Sequence, residues 1–282
     1  MNLADIKTIE QILKKEGFSF KKSLGQNFLI NPNVCPTMAA AACDKDCGVI
    51  EIGPGIGVLT KELAKTAGKV VTIELDERLR PVLQKTLGEF SNIKVIFGDA
   101  MKLDLRKVIA EELKDYKRIA VSANLPYYIT SPIIMMLLES KLPIESITVM
   151  VQKEAAERLA AEVGTRDAGA VTVAVNYYAT AEILFEVDRK AFMPSPNVDS
   201  AVIKLNIRKT PPVSVKDEKK FFIFVKACFA QRRKTLVNTV SNTLHIEKER
   251  IKSALTQIGE SDTVRAEQLN MESLADLANL LF

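Results

Sequence analysis

From residue 49 to residue 123 the apolar positions alternate between two patterns, short β-branched runs and longer stretches with helical spacing. Val49-Ile50-Glu51-Ile52 reads as a buried parallel strand that stops at Gly53-Pro54-Gly55-Ile56-Gly57, and residues 57–67 then have helical spacing closed by Gly68. The same reading predicts a strand at 69–74, a helix at 76–87, a strand at 93–97, a helix at 103–113 and a strand at 117–123. Strict alternation of this kind predicts an α/β fold, a doubly wound, Rossmann-like sheet.

Upstream, Ile6, Ile9, Ile12 and Leu13 mark an amphipathic helix over 4–16 stopped by Gly17, and Asn31-Pro32 suits the N-cap and first position of another, ending near Cys43. Downstream, an apolar helix starts at Ser131-Pro132, and strand 146–151 leads into a charged helix over 152–162. A loop at 164–169, a helix at 170–178 and strands at 181–187 and 200–207 follow. At Thr210-Pro211-Pro212 the strand pattern ends and the remainder is helical. The division falls at 209/210, giving an α/β domain, 1–209, and a small all-α domain, 210–282.

Alternating glycines at Gly53, Gly55 and Gly57 allow a ligand to approach the backbone closely. They do not by themselves select it, because dinucleotide folds use a related turn to aim free N–H groups at a pyrophosphate. Here Pro54 removes a donor and Glu51 adds negative charge, which suits a cation. Glu74 closes the next strand, where a carboxylate takes ribose hydroxyls. Asp99, in Gly98-Asp99-Ala100, follows the third. Each acid alone reads more readily as a helix N-cap or a solvated loop residue than as a ligand contact. At successive strand ends they describe a pocket for a positively charged nucleoside, S-adenosylmethionine.

The next strand end carries Asn124-Leu125-Pro126-Tyr127-Tyr128. An exocyclic adenine amine is a poor nucleophile because its lone pair is delocalised into the ring. An Asn124 oxygen and a backbone carbonyl near Leu125 could accept both amine hydrogens and turn that lone pair towards a sulfonium methyl. Pro126 stiffens the turn and Tyr127 offers a face for a base. The alternative is a proline turn capped by Asn with tyrosines in the core. In Phe192-Met193-Pro194-Ser195-Pro196-Asn197-Val198-Asp199-Ser200 two prolines hold an extended loop, and Phe192 is either a second stacking surface or a plug in the sheet rim.

Charge refines this picture through its distribution. The net +4 is mild, but residues 216–234 carry seven Lys/Arg against two acids, and 235–282 carry four against seven. Arg232-Arg233-Lys234 is either a solvated cationic helix end or a phosphate contact. The loop around Lys21 and Lys22 is either a covering loop or part of a site. Cys35, Cys43 and Cys47 are irregularly spaced and the single histidine, His245, is remote, so small thiols are expected and no zinc. Without a long apolar run or a signal-peptide pattern, the chain is expected in the cytoplasm, off the membrane and as a monomer.

Lys22-Ser23-Leu24-Gly25-Gln26-Asn27-Phe28-Leu29, the glycine turn, Gly98-Asp99-Ala100, Asn124 to Thr130, Gln152-Lys153-Glu154, Phe192 to Ser200 and Arg232 to Thr235 together resemble the ribosomal RNA adenine N6,N6-dimethyltransferase family, on the bacterial small-subunit branch associated with kasugamycin sensitivity. The resemblance spans nearly the whole chain. It implies transfer of two methyls to each of two adjacent adenosines in the 3′-terminal hairpin of 16S rRNA within the immature small subunit. It also implies Gln26, Asn27 and Leu29 at the cofactor, Glu74 at its ribose and Asp99 at its adenine. Thr165-Arg166-Asp167-Ala168-Gly169-Ala170 departs from the basic, tyrosine-containing loop of relatives, which bears on RNA contacts and not on chemistry. The competing readings are a large-subunit rRNA dimethylase conferring antibiotic resistance and an assembly checkpoint that acts mainly by binding. DNA adenine methylation fits less well, with Leu125 where DNA enzymes carry proline.

Overall fold

The computed structural model describes residues 3, 5–15 and 27–282. Its elements follow the periodicity: α1 (Ile6–Lys15), β1 (Phe28–Leu29), α2 (Val34–Ala42), β2 (Cys47–Ile52), α3 (Val58–Thr66), β3 (Lys69–Glu74), α4 (Arg80–Leu87), β4 (Ile93–Phe97), α5 (Leu105–Glu112), β5 (Arg118–Asn124), α6 (Thr130–Glu139) and β6 (Ser146–Gln152). Then come α7 (Lys153–Ala160), α8 (Ala170–Tyr178), β7 (Ala179–Val187), β8 (Phe192–Met193), β9 (Ser200–Ile207), α9 (Glu218–Cys228), α10 (Leu236–Leu244), α11 (Lys248–Gln257) and α12 (Met271–Leu281).

Among the described residues one sheet has the order β4-β3-β2-β5-β6-β9-β7. The chain leaves β2 for β3 and β4 on one side and returns to β5 on the other, so β2 and β5 flank the switch point where α/β sheets bind ligands. These inner strands are parallel, whereas β9 runs antiparallel to β6, so the sheet is mixed. Every residue of β2 is buried, which explains why its sequence is apolar apart from Glu51. Ile50, fully enclosed, is a sensitive position: truncation to alanine there should cost about 2–5 kcal/mol.

Packing divides the chain into two compact units, Met1–Ala156 with Glu182–Ile207, and Glu157–Ala181 with Arg208–Phe282. The second unit thus takes in residues 157–181, which the sequence pattern groups with the sheet. The aromatic pair at the end of α8 explains the difference. Tyr177 lies 5.5 Å from Phe221, Tyr178 stacks on Phe222 at 5.2 Å, and the Tyr178 hydroxyl donates to Glu218 Oε1 at 2.8 Å. The Pro-Pro step marks where strands stop, not where α8 finds its partner. Within this unit α9 and α12 start on side-chain caps: Asp217 accepts from Lys220 N–H and Asn270 from Ser273 N–H.

One start is misplaced by the sequence pattern. Asn31 Oδ1 accepts from the N–H of Asn33 in a turn, and α2 begins at Val34, so Pro32 precedes the helix instead of opening it. Among the described residues no helix is long and apolar enough to cross a membrane.

Candidate active site

The glycine turn between β2 and α3 has the backbone that its composition requires. Gly53, Gly55 and Gly57 have φ values of 74°, 57° and 91°, a region that side chains disfavour. At Gly57 a Cβ would also stand 2.8 Å from Leu87 Cδ2, so any side chain there would have to push that leucine aside.

Glu74, the last residue of β3, reaches this turn. Its Oε2 accepts from Gly55 N–H at 3.1 Å and its Oε1 from Asp76 N–H at 2.8 Å. The carboxylate is only 5 % exposed, and burial pushes its pKa up while the two backbone donors pull it back. Asp99 is organised similarly after β4, with Oδ1 accepting from Met101 N–H at 2.9 Å.

Both acids line a cleft at the carboxyl ends of the strands, whose empty space together with the open solvent at its mouth is about 1250 Å³. Gly53, Gly55 and Ala100 line it, as do Asn27 and Leu29. Asn124, Leu125, Pro126 and Tyr127 complete it at the end of β5. Leu125 is anchored by its N–H to Met150 O at 3.2 Å, and its side chain is buried. Tyr127 is half-buried, its hydroxyl 2.9 Å from Ser200 Oγ. Among the described residues nothing is hydrogen-bonded to the Asn124 side chain, so its amide oxygen is free to accept.

Phe192 lines the same cleft but is 4 % exposed. It sits in β8, paired antiparallel with Leu29 of β1, and packs in the core with Met38 and Met150. Its ring is therefore wall and plug together, with little free face. Glu51 does not line the cleft. It lies behind the turn, 1 % exposed, in register between Thr72 of β3 and Ser122 of β5. Among the described residues its Oε2 has no hydrogen-bond partner, and the Thr60 and Thr72 hydroxyls lie close enough to pull on its pKa without an aligned bond. Burial dominates and raises the pKa to about 7. Gln26, Lys21 and Lys22 lie outside the described residues.

In the second unit, the basic triplet is less uniform than its sequence suggests. Arg232 donates to Arg166 O at 2.6 Å and stands 3.8 Å from Glu267, tying the turn before α10 to the 164–169 loop. Arg233 and Lys234 are exposed. The four cysteines are buried and unpaired with one another, and burial pushes the Cys35 thiol up.

Three residues at the cleft mouth receive no role from the sequence motifs: Leu75, Met101 and Tyr128, which are 53 %, 38 % and 60 % exposed. Leu75 and Tyr128 directly follow Glu74 and Tyr127, and Met101 directly follows the Gly98-Asp99-Ala100 motif, so a large apolar side chain one step beyond a strand-end motif was the available signal.

The geometry, an acceptor-rich cleft at a switch point with an uncommitted Asn124, fits a nucleoside cofactor and an amine. Residues 17–281 match the ribosomal RNA adenine dimethylase family. The chain belongs to that family. As a ribosomal RNA adenine dimethylase it is an S-adenosylmethionine-dependent enzyme, and rRNA is its substrate class. It is 52 % identical over 276 residues to a ribosomal RNA small subunit methyltransferase A of Geobacillus thermodenitrificans, covering 96 % of this chain and 94 % of that protein. A protein of the same name from Oceanobacillus iheyensis is 47 % identical, with 97 % and 94 % covered. Among solved structures, a dimethyladenosine transferase from Plasmodium falciparum superposes with a TM-score of 0.70 at 27 % identity, covering 89 % of this chain and 95 % of that one. The 23S rRNA methyltransferase ErmE superposes at 0.67 with 28 % identity, covering 90 % and 99 %. The family's Rossmann-like sheet is the one described above.

Proposed function

We propose that this dimethylase transfers two methyls to the N6 amine of each of two adjacent adenosines in the 3′-terminal hairpin of 16S rRNA, acting on the immature small subunit. Asn124 carries the proposal: an uncommitted acceptor stands on the same cleft as Glu74. Identity of 52 % to a small-subunit methyltransferase, against 28 % to a 23S rRNA enzyme, supports the small-subunit branch. We place the enzyme in the cytoplasm as a monomer.

S-adenosylmethionine supplies an electrophilic methyl on a sulfonium. Glu74 has carboxylate lone pairs beyond those used by Gly55 and Asp76, and these suit ribose hydroxyls. Asp99 suits the adenine amine, with Leu75 and Met101 as apolar walls for that ring. Gly53 and Gly55, with Asn27 and Leu29 on the same cleft, leave room for the amino-acid end, and the family resemblance assigns Gln26 to the cofactor. Glu51 supports the turn from behind.

On the acceptor side, Asn124 Oδ1 and the Leu125 carbonyl accept the two N6 hydrogens, turning the nitrogen lone pair into the cleft. Positive charge that develops on the nitrogen is stabilised by these dipoles, which are held in place before reaction. The proton then leaves without a charged base. Pro126 fixes the turn, and Tyr127, pinned to Ser200, stacks on the base with Phe192 behind it. The helical unit binds RNA, with Arg233 and Lys234 on phosphates, Arg232 holding the turn, and Lys21 and Lys22 adding charge.

The test is incubation with labelled S-adenosylmethionine and small subunits lacking the modification, then digestion of the RNA to nucleosides. Label in N6,N6-dimethyladenosine of 16S rRNA is expected, and label in large-subunit RNA or DNA overturns the substrate assignment.

A further inference from the structure

Among the described residues, Tyr128 is the one large aromatic side chain at the cleft whose exposure has no structural explanation. It is 60 % exposed, although it directly follows Tyr127, which is half-buried and hydrogen-bonded to Ser200. Among the described residues its ring has no aromatic, cationic or hydrogen-bonding partner. The backbone beneath it is fixed. Leu125 is locked to Met150, Ile129 N–H donates to Pro126 O at 3.1 Å, and α6 begins at Thr130. Tyr128 is therefore a rigidly mounted aromatic face left in water at the edge of a substrate cleft.

The chemistry of the substrate gives that face a purpose. An adenosine whose N6 reaches Asn124 has left its stack, which uncovers one face of the neighbouring base. An aromatic side chain at the mouth recovers that stacking without reading sequence, because every base has a π-face. We propose that Tyr128 stacks on the nucleotide next to the reacting adenosine, holding that neighbour at the mouth while the first base is in the cleft. Since the proposed substrate has two adjacent adenosines, Tyr128 positions the second during reaction of the first. It is a positioning residue and touches neither the methyl donor nor the reacting nitrogen. This inference rests on the proposed rRNA reaction.

The experiment compares the parent with Tyr128→Ala and Tyr128→Phe in methyl transfer to undermethylated small subunits, with KM for the subunit, kcat and the methyl count at each adenosine measured. Loss of one base stack predicts a KM rise of about 5- to 150-fold in Tyr128→Ala. RNA carrying methyls on only one adenosine of the pair should accumulate. Tyr128→Phe should restore both, because the ring and not the hydroxyl is used. Calorimetric affinity for S-adenosylmethionine and the thermal midpoint of Tyr128→Ala should match the parent, since an exposed ring is removed and no core is opened. A parental KM and methyl distribution in Tyr128→Ala would overturn the inference, as would failure of Tyr128→Phe to restore them. Failure of the parent itself to methylate small-subunit RNA would instead overturn the underlying reaction.

Discussion

The backbone N–H of Gly55 donates to Glu74 Oε2 across 3.1 Å, so the glycine turn after β2 is tied to the last residue of β3. The other oxygen holds Asp76 N–H at 2.8 Å. Glu74 thus shapes the turn and offers acceptors to the cleft with the same carboxylate. Glu74→Ala should weaken S-adenosylmethionine binding by about 1.5–3 kcal/mol for the hydrogen bonds to an ionised acceptor. Glu74→Gln keeps one acceptor and should fall between. Calorimetry checks the order, and unchanged affinity in Glu74→Ala would remove Glu74 from the ribose.

Glu51 predicts a pH dependence of stability. Its folded pKa is raised from the ordinary 4.5 to about 7, chiefly by burial, with Thr60 and Thr72 pulling it down and Glu74 pushing it up. Between those values the folded state holds the proton more tightly than the unfolded chain. Stability from this group is therefore complete below pH 4.5 and is lost as pH rises through about 7. The full loss is on the order of 3 kcal/mol. Glu51→Gln cannot ionise, so its stability relative to the parent should climb across this window and level off above it. Denaturant midpoints of both proteins from acid to mildly alkaline pH test this, and a constant difference would contradict it.

The basic triplet should separate on mutation. Arg233→Ala with Lys234→Ala should weaken subunit binding and lower the salt slope by about 1 for each phosphate no longer neutralised. Arg232→Ala removes a bond to Arg166 O and should loosen the 164–169 loop, seen as faster amide exchange there. Equal salt slopes for the double variant and the parent would return Arg233 and Lys234 to ordinary solvated surface.

Much of this arrangement was legible in the chain because strand ends are punctuated. Glu74, Asp99 and Asn124 each terminate an apolar run, and parallel order brings such termini to one edge whatever the lengths between. What escaped the pattern depends on tertiary partners. The place of 157–181 is set by Tyr177 and Tyr178 meeting Phe221 and Phe222, which no periodicity encodes. Glu51 looked like a cleft acid by position, yet its strand direction turns it behind the turn, between Thr72 and Ser122. Arg232 differs from Arg233 through a carbonyl sixty-six positions away in the chain and through Glu267, neither of which the local sequence announces.

The central claim is that Asn124 orients and stabilises the reacting amine, and Asn124→Ala addresses it most directly. The measurement is the single-turnover rate of labelled methyl transfer to undermethylated small subunits, run beside subunit binding. Loss of an oriented acceptor costs about 2.7–4 kcal/mol, so the rate should fall roughly a hundred- to a thousandfold with binding nearly unchanged. Methylation of adenine N6 by Asn124→Ala at the parent rate would contradict it.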